Sequence, residues 1–364
     1  MDEPTLVLYL AIFLASLVLS SLLVPLLRKI ACRYSVLDRP NQSHKTHQKS
    51  VPYLGGLAIA IPVSLLVIGG PLILFEDSDY FIRTALFLAP AVLLALVGLF
   101  DDIRNLSASL RFLAQSTIAV VITLYLNHLD YSVSILSNEI GNLLLSIFWL
   151  VGITNAFNFF DNLDGGAAGI TLVASLTLFV LGYWGGQYLI SLISLALAGA
   201  GLGFLWWNKN PAKIYLGDSG ALFIGFILAV SLLQFEPNVD SLVASALIPV
   251  FILALPIIDT SVAVVSRILR GISIFQGGQD HLSHRLISRG FSRRKTAYTL
   301  WSLSAFFAGI SLVISTVDKN ASLGVSLLGS LFMGFLIVWF LRTDIKLKIL
   351  RFTLSYWKEF WRNH

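Results

Sequence analysis

Six aspartates stand at the ends of apolar stretches, where carboxylates are costly. The six are Asp101, Asp102, Asp161, Asp164, Asp218 and Asp259. Charged side chains at membrane depth cost free energy and usually mark function. Carboxylates crowded at one face would also repel one another, so we expect them to surround a shared cation. Taken singly, each has a simpler explanation; Asp218, for instance, follows Gly217 and could be a plain helix N-cap.

A polar stripe leads to two of these carboxylates. Asn155, Asn158, Asp161 and Asp164 recur every three residues, a spacing that places them along one side of a helix. Amides and carboxylates on an otherwise apolar helix would be poorly placed against lipid. The spacing therefore predicts that this side faces other helices.

Oxygen ligands in this number suit a hard divalent cation. Mg²⁺ takes one or two carboxylates and completes its shell with waters and substrate phosphates. A metal that bridges phosphate oxygens, beside a carboxylate that acts as base, is the central arrangement of phosphoryl transfer. The pattern therefore predicts a metal-dependent phosphoryl-transfer site, with carboxylates left over for the base and for substrate.

Two polar segments could supply matching positive charge. Residues 43–56 and 276–286 hold His, Lys or Arg beside Gly-Gly steps. Such segments suit a nucleotide diphosphate, for which Lys is a point charge and Arg a planar fork. The usual excess of cations in cytoplasmic loops explains most of these charges, although not the His pairs or the Gly-Gly steps.

The elements that must position these residues are membrane helices. Of the 364 residues, 56% are hydrophobic and only 12% are charged, against about 25% charged in soluble domains. A single cysteine, Cys32, excludes a disulfide framework and a Cys-based metal site. An acidic start without a cleavage site predicts that the first apolar run is retained as a span.

Eleven apolar runs approach the length that spans a bilayer, about 20 residues. They cover residues 6–27, 51–75, 84–100, 108–126, 140–158, 166–183, 187–207, 219–235, 242–266, 297–316 and 321–341. The sequence thus predicts an all-α polytopic membrane protein with about eleven transmembrane helices, forming one integral-membrane domain over residues 1–364. Pro249 and Pro256 predict a break in the ninth helix.

The placement of cations predicts the orientation. With the N-terminus outside and the C-terminus cytoplasmic, all of the 25 Lys and Arg except Arg83 and Lys319 fall on the cytoplasmic side, as the positive-inside rule requires. The net charge of +5 is therefore a topology signal and gives no reason to expect nucleic acid. Residues 345–364 mix cations with aromatic residues, which predicts a basic interfacial helix on the cytoplasmic leaflet.

Five motifs in order resemble the polyprenyl-phosphate N-acetylhexosamine-1-phosphate transferases (glycosyltransferase family 4), which include the phospho-N-acetylmuramoyl-pentapeptide transferases. They are Lys-x-x-Pro-x-x-Gly-Gly at 49–56, the Asp101-Asp102 pair, Asn-x-x-Asp-x-x-Asp-Gly at 158–165, Gly-Asp-x-Gly at 217–220 and a His-rich loop at 281–285. Each motif alone is weak, but five in order with matching topology are specific. The resemblance covers residues 45 to 296.

The resemblance implies transfer of a sugar-1-phosphate from a UDP-sugar, such as UDP-N-acetylglucosamine, to undecaprenyl or another polyprenyl phosphate, with Mg²⁺ or Mn²⁺ and release of UMP. The active site would face the cytoplasm at the cell membrane, and a homodimer is compatible with this. By position, Asp101, Asp102 and Asp218 would be catalytic, with Asp101 as base or nucleophile and Asp218 and Asp102 as metal ligands. The implied substrate contacts are Lys49, Asn158, Asp161, Asp164, His281, His284 and Arg285.

One departure from the family pattern concerns the choice of donor. The loop reads His281-Leu282-Ser283-His284-Arg285, whereas the pentapeptide branch shows three consecutive His, and members that use plain UDP-N-acetylhexosamine show His-x-His-His. We expect a UDP-N-acetylhexosamine donor, with UDP-N-acetylmuramoyl-pentapeptide as the alternative. From another class, a cation-coupled transporter remains an alternative, although transporters place sites near the midplane and often carry repeats.

The predicted orientation can be tested at Cys32, which follows the first apolar run. On the cytoplasmic side, this thiol should be shielded from impermeant reagents applied to intact cells and should react once the membrane is permeabilised. Ready labelling in intact cells would overturn the orientation.

Overall fold

Helices account for most of the chain that the computed structural model describes, which is residues 6–38, 50–74, 78–128, 135–274 and 278–363. The helices in these ranges are α1 (Leu6–Arg33), α2 (Leu57–Leu74), α3 (Ser78–Arg104), α4 (Ala108–His128), α5 (Glu139–Phe160), α6 (Gly166–Trp184), α7 (Tyr188–Asn208), α8 (Gly217–Leu233), α9 (Leu242–Ile252), α10 (Ala254–Arg270), α11 (Leu282–Ile287), α12 (Arg293–Ile314) and α13 (Lys319–Asn363). Two short strands, β1 (Leu37–Asp38) and β2 (Val51–Pro52), pair antiparallel. The predicted all-α class is confirmed.

Apolar helices make this a polytopic membrane protein. In the described ranges, α1, α4, α5, α6, α7, α12 and the first part of α13 are long and apolar enough to cross a bilayer, and the bent pair α9–α10 brings the number to eight. The predicted eleven is not reached, in part because the apolar stretches of α2 and α8 are shorter than 18 residues. A 17-residue helix such as α8 is about 26 Å long, less than the bilayer core of about 30 Å.

The predicted apolar runs and the helices differ mainly at their edges. The second run begins as strand β2, because Val51 and Pro52 pair with Asp38 and Leu37. The last helix continues without a break to Asn363, so the backbone of the basic tail is helical. Its place at a membrane surface, like the single domain over the whole chain, stays a prediction.

The ninth run is broken, as its prolines predict. Helices α9 and α10 meet at Leu253 with a bend of 78°. Pro256 has no N–H to bond the carbonyl of Ile252, one turn earlier, so the helical hydrogen bonds cannot continue across this point. The bend leaves Asp259 in the second turn of α10.

Helix α8 lies at the centre of the fold. Almost every one of its residues is buried, as expected for a helix that is apolar on all sides, and it packs against α3 and α5. Gly98 of α3 permits the closest approach, because a Cβ at this position would lie 2.5 Å from the backbone of Asp218. The two helices therefore touch backbone to backbone beside the aspartates of α3 and α8.

The close contact at Gly98 predicts that one added methyl group at this position lowers the stability of the protein. Gly98→Ala should force α3 and α8 apart and destabilise the protein by about 1–3 kcal/mol, the usual cost of overpacking. The readout is the unfolding temperature of the purified protein in detergent. The control is Gly309→Ala in α12, where no atom lies within 4 Å of the added Cβ; equal losses in both variants would contradict the prediction.

Candidate active site

Arg111 of α4 joins two of the predicted catalytic carboxylates. Its Nη1 donates to Oδ2 of Asp101 and to Oδ2 of Asp218, each at 2.5 Å. The other oxygen of Asp101 accepts from the N–H of Leu106 at 2.5 Å, and the other oxygen of Asp218 accepts from Nδ2 of Asn158 at 2.9 Å. Helices α3, α4, α5 and α8 thus each place a polar side chain in one site.

Asp102 caps the N-terminus of α8. Its Oδ1 accepts from the N–H of Asp218 at 2.9 Å and its Oδ2 from the N–H of Ser219 at 3.2 Å. Unpaired N–H groups and the positive end of the helix dipole favour an anion here. Gly217 has a φ of 74°, and a Cβ on it would lie 2.6 Å from Oδ2 of Asp102. The cap is therefore Asp102, and the explanation of Asp218 as a plain N-cap is wrong.

The predicted stripe faces protein, but only Asn155 and Asn158 lie on α5. This helix ends at Phe160, so the expectation that Asp161 and Asp164 continue the same side of one helix is wrong. Asn155 donates to Oε1 of Gln115 in α4 at 2.6 Å, and the next residue of the stripe donates to the aspartate of α8. Further on, Oδ2 of Asp164 accepts from Nδ2 of Asn210 at 2.8 Å and from the N–H of Ala212 at 3.1 Å. Asn155 and Asn158 thus connect α5 to α4 and to α8. Asp164 connects the segment after α5 to the loop before α8.

Asp161, between these contacts, directly follows the end of α5. Burial, and then the negative charges of Asp218, Asp102 and Asp164, raise the pKa of its carboxyl to about 8. Burial contributes most to this shift and the three nearby carboxylates add to it, so a negative charge is costly at this position.

The donor set fits Mg²⁺ in its chemistry. Within the described ranges, no three Asp, Glu, His or Cys side chains are arranged so that they could hold a metal by themselves. Mg²⁺ needs only one or two carboxylates, however, and takes the rest of its shell from water and phosphate. Asp218 and Asp102, whose charges both act on the nearby Asp161, are the residues that would hold it.

The His-rich loop packs against the end of the polar stripe. Ser283 donates a hydrogen bond from Oγ to Oδ1 of Asn162. The ring of His281 meets Phe159 edge-on, with centroids 6.1 Å apart. His284 lies 6.3 Å from His281, ring centroid to ring centroid, and burial, followed by the nearby His281, lowers the pKa of His284. Both predicted histidines therefore lie beside the segment that carries the last two carboxylates of the stripe.

Arg285, another predicted substrate contact, is engaged elsewhere. Its guanidinium donates to the carbonyl oxygens of Asp280 at 2.7 Å and Phe340 at 2.9 Å, and to Oδ2 of Asp344 at 2.7 Å. These partners belong to its own loop and to α13. The structure thus shows that Arg285 joins the loop to α13. It makes no hydrogen bond to Asp101, Asp102 or Asp218 in the described structure.

Lys49 lies outside the described residues, but the rest of its motif reaches the site. The N–H of Gly55 donates to the carbonyl of Tyr215 at 3.0 Å, and that of Gly56 to the carbonyl of Leu216 at 2.8 Å. The Gly-Gly step therefore ends against the residues that immediately precede α8.

Sequence reasoning missed Arg111. In the sequence it is one more cation on the expected cytoplasmic side, where the positive-inside rule accounts for it, and its distance of ten residues from Asp101 carries no pattern. Charge balance could have indicated it, because several carboxylates in one site need a nearby positive side chain to offset their repulsion.

The raised pKa of Asp161 predicts how stability depends on pH. An unfolded aspartate ionises at its usual pKa of 3.8, whereas the folded group keeps its proton to about pH 8, so between these values the folded state binds the extra proton and stability falls as pH rises. Asp161→Asn removes that loss. The unfolding temperature of the Asp161→Asn variant, measured in detergent with a chelator, should exceed that of the parent protein. This difference should grow from pH 4 to pH 8. The exposed Asp240 gives a control, Asp240→Asn; a margin that is constant or shrinks with pH would contradict this account.

Comparison with known proteins gives the family. The glycosyl transferase family 4 model matches residues 84–236, which include Asp101 and Asp102 of α3, Asp161 and Asp164 after α5, and Asp218 of α8. A probable undecaprenyl-phosphate N-acetylglucosaminyl 1-phosphate transferase of Bacillus subtilis is 33% identical over 91% of this chain and 89% of its own. A decaprenyl-phosphate N-acetylglucosaminephosphotransferase of Mycolicibacterium smegmatis is 31% identical over 82% and 81%, and a phospho-N-acetylmuramoyl-pentapeptide-transferase of Anoxybacillus flavithermus is 30% identical over 83% and 95%. With these similarities along most of its length, and with Asp101, Asp102 and Asp218 of the matched region gathered in one site, the chain belongs to glycosyl transferase family 4.

Proposed function

We propose that this transferase moves N-acetylhexosamine-1-phosphate from a UDP-N-acetylhexosamine to a polyprenyl phosphate and releases UMP. The observation that carries the proposal is the convergence of Asp101, Asp102 and Asp218 around Arg111 and the N-terminus of α8. Phosphoryl transfer depends mainly on positioning and on the stabilisation of charge, and this arrangement supplies fixed carboxylates beside a fixed cation.

The residues take distinct roles in the proposed reaction. Asp218 and Asp102 would hold Mg²⁺ or Mn²⁺, which supplies positive charge to phosphate oxygens. Asp101, held by Leu106 and Arg111, takes the proton of the acceptor phosphate. An oxygen of that phosphate attacks the phosphorus bonded to the sugar, and UMP leaves with the electron pair of the broken P–O bond. A covalent route, in which Asp101 attacks this phosphorus first, uses the same residues.

The donor would lie between the carboxylates and the His-rich loop. In this arrangement Asn158, Asp161 and Asp164 would contact the donor from one side, and His281 and His284 from the other. Lys49 and Arg285 remain proposed contacts for the donor, although the bonds of Arg285 to α13 favour a structural role for it.

An apolar cavity supports a polyprenyl acceptor. It has a volume of about 790 Å³ and lies between α5, the end of α8 and the bent pair α9–α10. Among its lining residues, Phe148 and Leu242 are exposed side chains on the apolar outer surface, where lipid would surround the protein. A chain of isoprene units could enter this cavity from the bilayer, with its phosphate directed along α5 towards the carboxylates.

The proposed topology is eleven crossings with the N-terminus outside, the C-terminus inside and the active site on the cytoplasmic face of the cell membrane. The cation distribution supports it. So does the position of each apolar run on a helix or on the bent pair, if α2, α3 and α8 cross as parts of the bundle. A homodimer stays a prediction.

The muramoyl-pentapeptide donor is the second candidate, because a pentapeptide transferase matches this chain over 95% of its own length. The broken His run favours the smaller donor. Purified protein, a short polyprenyl phosphate and an equal mixture of the two donors would decide, and preferential use of the pentapeptide would reject the donor assignment while leaving the reaction class intact.

The proposed chemistry predicts a defined pattern of losses. UMP release from UDP-N-acetylglucosamine should require both the lipid phosphate and Mg²⁺ or Mn²⁺ and should stop with a chelator. Asp218→Asn and Asp102→Asn should each lower kcat by at least about 100-fold, since each removes charge needed in the transition state. The exposed Asp240 again offers a control, because Asp240→Asn should keep full turnover. Full activity in excess chelator would reject the metal-dependent mechanism.

A further inference from the structure

Asp259, which the proposed mechanism does not use, makes two short hydrogen bonds to the His-rich loop. Its side chain is 1% exposed. Its Oδ2 lies 2.7 Å from Nδ1 of His281, and its Oδ1 accepts from the N–H of Leu282 at 2.6 Å. A carboxylate of α10 is thus bonded to both the ring and the backbone of this loop.

The backbone bond orients α11. His281 is the N-cap residue of this short helix, and its own side chain makes no capping hydrogen bond. The N–H of Leu282 would therefore be one of the unpaired groups that a helix start leaves. Oδ1 of Asp259 satisfies it from a different helix, which fixes where α11 begins relative to α10.

The ring bond decides which nitrogen of His281 is free. A carboxylate can only accept from Nδ1–H, so the proton of the neutral ring is held on Nδ1 and the lone pair remains on Nε2. The ring is 6% exposed and touches Phe159 and His284, which leaves it little freedom to turn. The pair therefore fixes both the tautomer and the orientation of His281.

Neighbouring charges do not compete for this bond. Asp280, next in sequence to His281, is occupied by Nε of Arg267 at 2.9 Å and by Arg270. Although burial opposes it, these two arginines hold the pKa of Asp280 below its usual value. Within the described residues, the ring of His284 in α11 also lies beside that of His281, and His284 is itself close enough to Arg293 at the start of α12 to interact with its charge. Asp259 is thus the acid that is hydrogen-bonded to His281.

We propose that Asp259 is a positioning residue of the transferase, which acts through His281 by holding its Nε2 as the free nitrogen that faces the donor. The inference rests on the proposed function, in which His281 contacts the donor. Carboxylates that orient functional histidines act in this way at metal sites, where their loss lowers activity by about 10- to 100-fold.

A double-mutant cycle tests whether Asp259 acts through His281. Asp259→Asn keeps an oxygen for the N–H of Leu282 but places an NH₂ group against Nδ1, which forces the ring proton to Nε2. We expect it to lower kcat/KM by about 10- to 100-fold in the parent and to cause no further loss in His281→Ala. Equal losses in both backgrounds would show that Asp259 acts independently of His281 and would overturn the proposal.

A second readout does not depend on activity. Nitrogen NMR of protein labelled at its six histidines, with His281 assigned by its loss in His281→Ala, should show the proton on Nδ1 in the parent and on Nε2 in Asp259→Asn. Asp259→Glu, which retains the carboxylate, should restore the parent tautomer and part of the activity. The same tautomer in the parent and in Asp259→Asn would overturn the proposal even if that variant were inactive.

Asp280→Asn is the matched control, since it removes a buried carboxylate of the same loop that is bonded to arginines. It should lower the unfolding temperature and leave the tautomer of His281 unchanged. If the parent itself released no UMP, the proposed function would fail, while the NMR comparison would still decide the pairing.

Discussion

Negative charge gathered where α3, α5 and α8 meet is the constraint on which the rest of the structure depends. Two positive features of the chain hold it together: the guanidinium of Arg111 and the N-terminus of α8. The side chains of Arg111 and Asp218 are 30% and 26% exposed, and an ion pair that is partly open to water adds little net stability. Arg111 is therefore better understood as a condition for assembling the aspartates than as a source of stability.

The packing follows from this requirement. The carboxylate of Asp102 can reach the N–H groups of α8 only if α3 and α8 are in backbone contact, and Gly98 and Gly217 remove the two Cβ atoms that would prevent it. Helix α8 must then be enclosed by its neighbours, which explains why almost all of its residues are buried and apolar. The same enclosure makes the polar side of α5 face inward.

Much of this could be read from the sequence because it depends on local periodicity. Apolar length located the helices, Pro249 and Pro256 located the break at Leu253, and the spacing of three identified the side of α5 from which Asn155 and Asn158 bond to α4 and α8. The number of spans was harder to predict from the sequence, because α8 is shorter than a typical membrane span and is stabilised by the helices packed around it. Pairings such as Arg111 with Asp218, or Asp259 with His281, join residues 107 and 22 positions apart. They arise from tertiary packing, which leaves no periodic trace.

The 78° bend between α9 and α10 also affects how the proposed enzyme meets its lipid. Because the bend borders a cavity with exposed apolar side chains at its edge, an acceptor could reach the site by lateral diffusion without leaving the bilayer. Its effective concentration would then be a mole fraction within the membrane and not an amount per volume of solution. Turnover would follow surface-dilution kinetics: added inert lipid would slow the reaction although the total amount of acceptor in the sample stayed the same.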